Sequence, residues 1–109
     1  MSLAYSKSSA DTVIDSHHHF WDLSKREYLW MPPTPSVLRR NYLPENLQAI
    51  IQDSGVSKTV VVQAHQSIEE SLWLLKFAED YDFIADVVAW VDLTDPGVGR
   101  VLDNFNENP

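Results

Sequence analysis

A chain of 109 residues with a formal net charge of −8 is long enough for one small domain. With 16 acids against 8 lysines and arginines it repels a phosphate backbone, which argues against nucleic acid as a partner. It has no cysteine for a disulfide framework, no run near the ~18 apolar residues of a membrane span and no apolar signal core, so a cytoplasmic protein without membrane partners is expected.

In chain order, residues 1–11 are polar and serine-rich and are expected to form a disordered tail ahead of a domain over 12–109. Thr12 to Ile14 are β-branched and predict a buried strand running into Asp15. Three histidines follow, His17, His18 and His19. Leu23 to Asn41 holds prolines at 32, 33 and 35, which exclude a regular helix or a central strand. The content of this segment, "YLWMPP", is too aromatic for plain disorder, and it reads as a long functional loop.

Pro44 suits the first turn of a helix, with Leu47, Ile50 and Ile51 on one face and Gly55 at the end. "KTVVVQA" is β-branched without alternation, the pattern of a strand buried on both faces. Ile68 to Tyr81 predicts a second helix with Leu72, Leu75, Phe77 and Ala78 inward, and Phe83 to Leu93 a third strand. After a turn at "DPG", Val98, Val101, Leu102 and Phe105 mark one side of a third helix. Alternating strands and helices mean βαβ units, a parallel sheet and an α/β fold. Three such units leave sheet edges open, so the chain is expected to be the N-terminal part of a larger fold.

In a strand, His17 and His19 point to the same face with Cα atoms ~6.6 Å apart, close enough for two imidazoles to converge on one cation. On a helix the same pair diverges by roughly 200°. His18 then faces the other way, and Asp15 shares the parity of the pair and is placed to orient it from below. A tag remnant or surface decoration also yields such runs, though this one is internal. His65 ends the second strand on the same side and reads as a polar rim or substrate contact. Gln63 and Asp92 lie at comparable strand ends, and Glu69 and Glu70 suit the positive end of the second helix.

"VIDSHHHFWD" resembles the opening signature of the amidohydrolase superfamily, and "HFW" its lactonase branch, the amidohydrolase-2 or amidohydrolase-related family of sugar-acid and pyrone-dicarboxylate lactonases. "YLWM", "NYLPENLQAIIQDSGVSKTVVVQA" and "WLLKFAEDYDFIADVVAWVDL" resemble its following segments, so the similarity runs from about Thr12 to Phe105. The resemblance implies three βα units of a (β/α)8 TIM barrel with its site at the carboxyl ends of the strands. It implies His17 and His19 as two ligands of a divalent metal, zinc first. Some members need no metal, and there the pair contacts substrate directly. The family draws its remaining histidines from strands five and six and an aspartate base from strand eight, so no catalytic residue is identifiable here. The implied reaction is hydrolysis of a small sugar-acid lactone, with Trp21, Tyr28 and Trp30 either walling the pocket or packing as core. A superfamily decarboxylase and a non-catalytic truncated fragment are the alternatives, and a homo-oligomer is allowed.

Overall fold

The computed structural model describes residues 12–107, so the tail expected over 1–11 lies outside the described residues. The elements are β1 (Ile14–His18), α1 (Pro44–Ile51), β2 (Lys58–Val62), α2 (Ile68–Asp80), β3 (Ile84–Val88) and α3 (Val98–Asn106). The strands form one parallel sheet in the order β1-β2-β3, which is the expected α/β pattern of three βα units. No described helix is long and apolar enough to cross a membrane.

Pro44 opens α1, where its missing N–H costs nothing, and the Asn46 side chain accepts from the Leu43 N–H at 2.9 Å. The helix stops at Ile51, four residues before the expected end. Ser54 N–H turns back onto the Ile51 carbonyl, and Gly55 adopts φ 84°, a left-handed conformation suited to glycine, to lead into β2. Ser67 caps α2 by accepting from Glu70 N–H at 3.1 Å.

The core lies on the helix side of the sheet, where Phe20, Ile51, Val61, Leu74, Phe83 and Ile84 pack together. Several expectations of burial fail here. β1 is not buried, with Ile14 50% exposed, because it is an edge strand of this sheet. β2 is fully buried at Thr59 and Val61 only. Lys58, Val60 and Val62 are half-buried on a face that opens outward. On α2 the inward position is Leu74, wholly buried, while Leu72 is 48% exposed.

The buried stripe of α2 runs through Glu70, Ser71 and Leu74, so hydropathy alone pointed one position off. Ser71 belongs inside because its hydroxyl donates to the Trp90 carbonyl at 2.8 Å and accepts the Trp90 N–H at 3.0 Å. This tether follows the end of β3 at Val88, short of the expected Leu93. On α3, Val98, Val101 and Phe105 are half-buried as the pattern predicts, but Leu102 is exposed.

The proline-rich segment has no regular structure, yet it is folded. Trp21 and Tyr42 close its neck by a two-way backbone bridge of 3.0 and 2.9 Å. The Trp21 indole N–H reaches the carbonyls of Leu38 (3.1 Å) and Arg40 (2.8 Å). Trp21, Tyr28 and Met31 form a second small core under this loop, with Leu23, Tyr42 and Ala64 against it. Arg26 lays its guanidinium 4.6 Å over the Trp73 ring and so pins the loop to α2.

Candidate active-site cleft

The carboxyl ends of β1 and β2 lie side by side, and the site grows from them. His17 and His19 meet edge-to-face with ring centroids 5.1 Å apart. His18 turns to the helix side, its ring centroid 4.8 Å from that of the core residue Phe20 in an edge-to-face arrangement. Burial lowers the pKa of His18, since the charged ring is poorly solvated there. Strand alternation therefore sorts the three rings as two and one.

Asp15 is placed differently from the expectation. A register shift between Asp15 and His18 breaks the alternation, pairing Asp15 with Thr59 and His18 with Val61. The Asp15 carboxylate takes the His17 backbone N–H at 3.1 Å, so it stiffens the strand end and orients no imidazole. His19 is oriented instead by β2. Its Nδ1 lies 2.9 Å from the Val62 carbonyl. A carbonyl only accepts, so Nδ1 carries the hydrogen and the neutral ring keeps its lone pair on Nε2.

Beyond β2, the chain from Gln63 to Gln66 forms the facing wall. His65 Nδ1 lies 2.9 Å from the Ser67 hydroxyl. The loop supplies the third wall, with Trp30 donating its indole N–H to the Ala64 carbonyl at 2.8 Å. Together these segments enclose a cleft of about 690 Å³ lined by His19, Trp21, Leu29, Trp30, Gln63, Ala64, His65 and Gln66.

Of the expected substrate contacts, Trp21, Trp30 and His65 line this cleft. Tyr28 does not: it is buried, its ring centroid 6.0 Å from Trp30 and 5.6 Å from His65, where it supports the wall from behind. Burial raises the pKa of its phenol. Core and pocket are thus one aromatic cluster, with Tyr28 in its interior and Trp30 at its rim. Gln63 joins the lining. Asp92 does not, because its carboxylate accepts from the Thr94 hydroxyl (2.6 Å) and N–H (2.9 Å), bonds that also lower its pKa.

Two imidazoles side by side, one with its tautomer set, are a chemically suitable pair of zinc ligands. Among the described residues no cluster of three or more histidines, cysteines or carboxylates gathers to complete such a site.

Glu70 is the residue that the hydrophobic pattern does not reveal. It sits in the first turn of α2 as expected, yet it is fully buried. Its Oε1 accepts the N–H groups of Ala64 and His65, both at 3.1 Å. Desolvation raises its pKa against the lowering effect of those bonds. The signal available was "SIEE", a serine followed three residues later by glutamate, the form of a capping box.

No family model matches the chain. Over 80 residues it is 41% identical to an L-fucono-1,5-lactonase of Burkholderia ambifaria, an alignment that takes in 73% of this chain. The chain spans 28% of the length of that curated relative. Among solved structures, an amidohydrolase from Burkholderia multivorans with bound HEPES superposes with a TM-score of 0.81 at 34% identity, over 87% of this chain and 33% of that one. A crystal structure of an amidohydrolase from the same organism with bound zinc gives a TM-score of 0.78 at 35% identity, over 85% and 33%.

Proposed function

We propose that the chain is part of an amidohydrolase and carries part of the active site of a hydrolase that opens a small sugar-acid lactone. The observation that carries this is the cleft at the ends of adjacent parallel strands, where His19 faces Gln63 and His65 under two tryptophans. Indole faces suit the C–H face of a sugar-derived ring, and the amide and imidazole groups suit its hydroxyls. The names of the lactonase and amidohydrolase relatives support the same class.

His17 and His19 are the residues that would hold a divalent cation, and the zinc in one solved relative supports that choice. Such a cation supplies polarisation of a carbonyl and acidification of a bound water. The protein's own contribution is positional. Val62 fixes the His19 tautomer and Trp30 covers the rim against water. His65 and Gln63 orient the substrate. The residue that takes the proton is assigned to no position of this segment. A cytoplasmic location and assembly with further copies of itself belong to the same proposal.

The test uses protein from the full reading frame with a panel of aldonolactones, acid release being followed by pH-stat. Acid from at least one sugar-acid lactone is expected. Silence across the panel, with CO2 released from an unsaturated carboxylate, would assign a decarboxylase instead.

A further inference from the structure

Glu70, Ala64 and Trp30 meet at one peptide unit. The His65 N–H and the Ala64 carbonyl belong to the same amide and, in a trans peptide, point in opposite directions. Glu70 holds the N–H end at 3.1 Å from inside the fold. Trp30 donates to the carbonyl end at 2.8 Å from the rim of the cleft. The same carboxylate also accepts Ala64 N–H, so two successive amides are fixed by one side chain.

We infer that Glu70 is a positioning residue that holds the Trp30 wall and the His65 wall of the cleft through the Ala64–His65 peptide. Three physical points support it. A carboxylate on the N–H of an amide polarises it and strengthens its carbonyl as an acceptor, here for the Trp30 indole. Two amides held by one carboxylate cannot rotate separately, so the carbonyl keeps its aim at the rim. Moreover, Ser67 links the same residues a second time, its hydroxyl accepting Glu70 N–H at 3.1 Å while lying 2.9 Å from His65 Nδ1. Helix α2, the strand end and the cleft are therefore joined through one buried acid that touches no substrate. This inference rests on the proposed function for its kinetic consequence, but its structural consequence stands apart from it.

The experiment compares Glu70→Gln with Ser71→Ala in protein from the full reading frame. Ser71 is equally buried on the next position of α2, but its hydroxyl tethers Trp90 at 2.8 Å and, on the cleft side, reaches only the Ser67 carbonyl at 3.3 Å, touching neither Ala64 nor Trp30. Hydrogen exchange of the Trp30 indole N–H, read by NMR with ¹⁵N-tryptophan, reports on the wall without any substrate. Glu70→Gln is expected to speed that exchange by about tenfold and Ser71→Ala by less than about twofold, after both are compared at equal distance below their Tm. With a turned-over lactone, Glu70→Gln is expected to raise KM by about fivefold with little change in kcat. Should Glu70→Gln not fold, Glu70→Asp keeps the charge, shortens the reach and takes the same measurements. Equal exchange in the Glu70 and Ser71 variants overturns the inference. Faster Trp30 exchange in a protein that hydrolyses no lactone keeps it and removes the proposed function alone.

Discussion

At the scale of single residues, three identical side chains in a row take two different jobs. The strand period of two was enough to separate them in the sequence, because alternation survives from His17 to His19. It was not enough to place Asp15, because a register shift leaves no mark in residue type. In the complete protein, His17→Ala and His19→Ala are expected to lose bound zinc, while His18→Ala retains it. Metal content by mass spectrometry after dialysis checks this, and equal loss in all three variants would contradict the alternation.

Glu70 shows the opposite case, a buried position with a charged residue that no hydrophobic pattern could find. Its folded-state pKa is raised above the unfolded one, so ionisation costs more in the fold than in the open chain. Below the ordinary carboxyl range both states are protonated and the cost is absent. It sets in as pH rises from that range through the raised folded value. The Tm advantage of wild type over Glu70→Gln is therefore expected to be larger near pH 4.5 than near pH 7, as measured by thermal melts. An advantage that does not change across that window would show that the carboxyl titrates as an exposed one does.

At the scale of elements, each helix and strand was legible in kind, and the errors fell on ends and faces. α1 ended early because the turn over Ser54 and Gly55 belongs to the connection. α2 was rotated in the reading because Ser71 and Glu70 are buried through hydrogen bonds rather than apolarity. The proline-rich loop was recognised as irregular, but its internal order was not legible. It comes from contacts far apart in sequence, such as Trp30 with Ala64 and Arg26 with Trp73.

Trp30 stands half-exposed at the rim with its indole tied down, so under the proposed function it would meet the substrate as a surface. Trp30→Ala is expected to raise KM by about tenfold and to change kcat by less than about threefold. Steady-state kinetics on the best lactone of the panel decides, and a loss confined to kcat would place Trp30 in the chemistry itself.

At the scale of the molecule, the sheet ends in open strands on both sides. Ile14 on β1 and Val88 on β3 are about half-exposed, and Leu102 of α3 lies open beside a groove between α2, β3 and α3. A 109-residue polypeptide carrying these faces is expected to self-associate when made by itself, because apolar strand edges recruit other strands. Sedimentation velocity over a range of concentrations checks this. A monomer that melts in one sharp transition would show that the segment stands alone.

The two-way bridge between Trp21 and Tyr42 bears on how quickly the sheet assembles. His19 reaches Val62 across 43 residues, and the bridge ties off 21 of them in a separate, smaller ring. Roughly halving the span that must close before β1 meets β2 lowers the entropic barrier by about 0.6 kcal/mol, or about threefold in rate. Stopped-flow refolding of Trp21→Ala, which keeps the backbone groups of the bridge but loses the indole bonds and the Tyr42 ring contact that hold it, should accordingly be slower by up to about that factor. The segment that walls the cleft in the finished molecule thus also serves, earlier, as a clasp that shortens the search of the chain for its own first pair of strands.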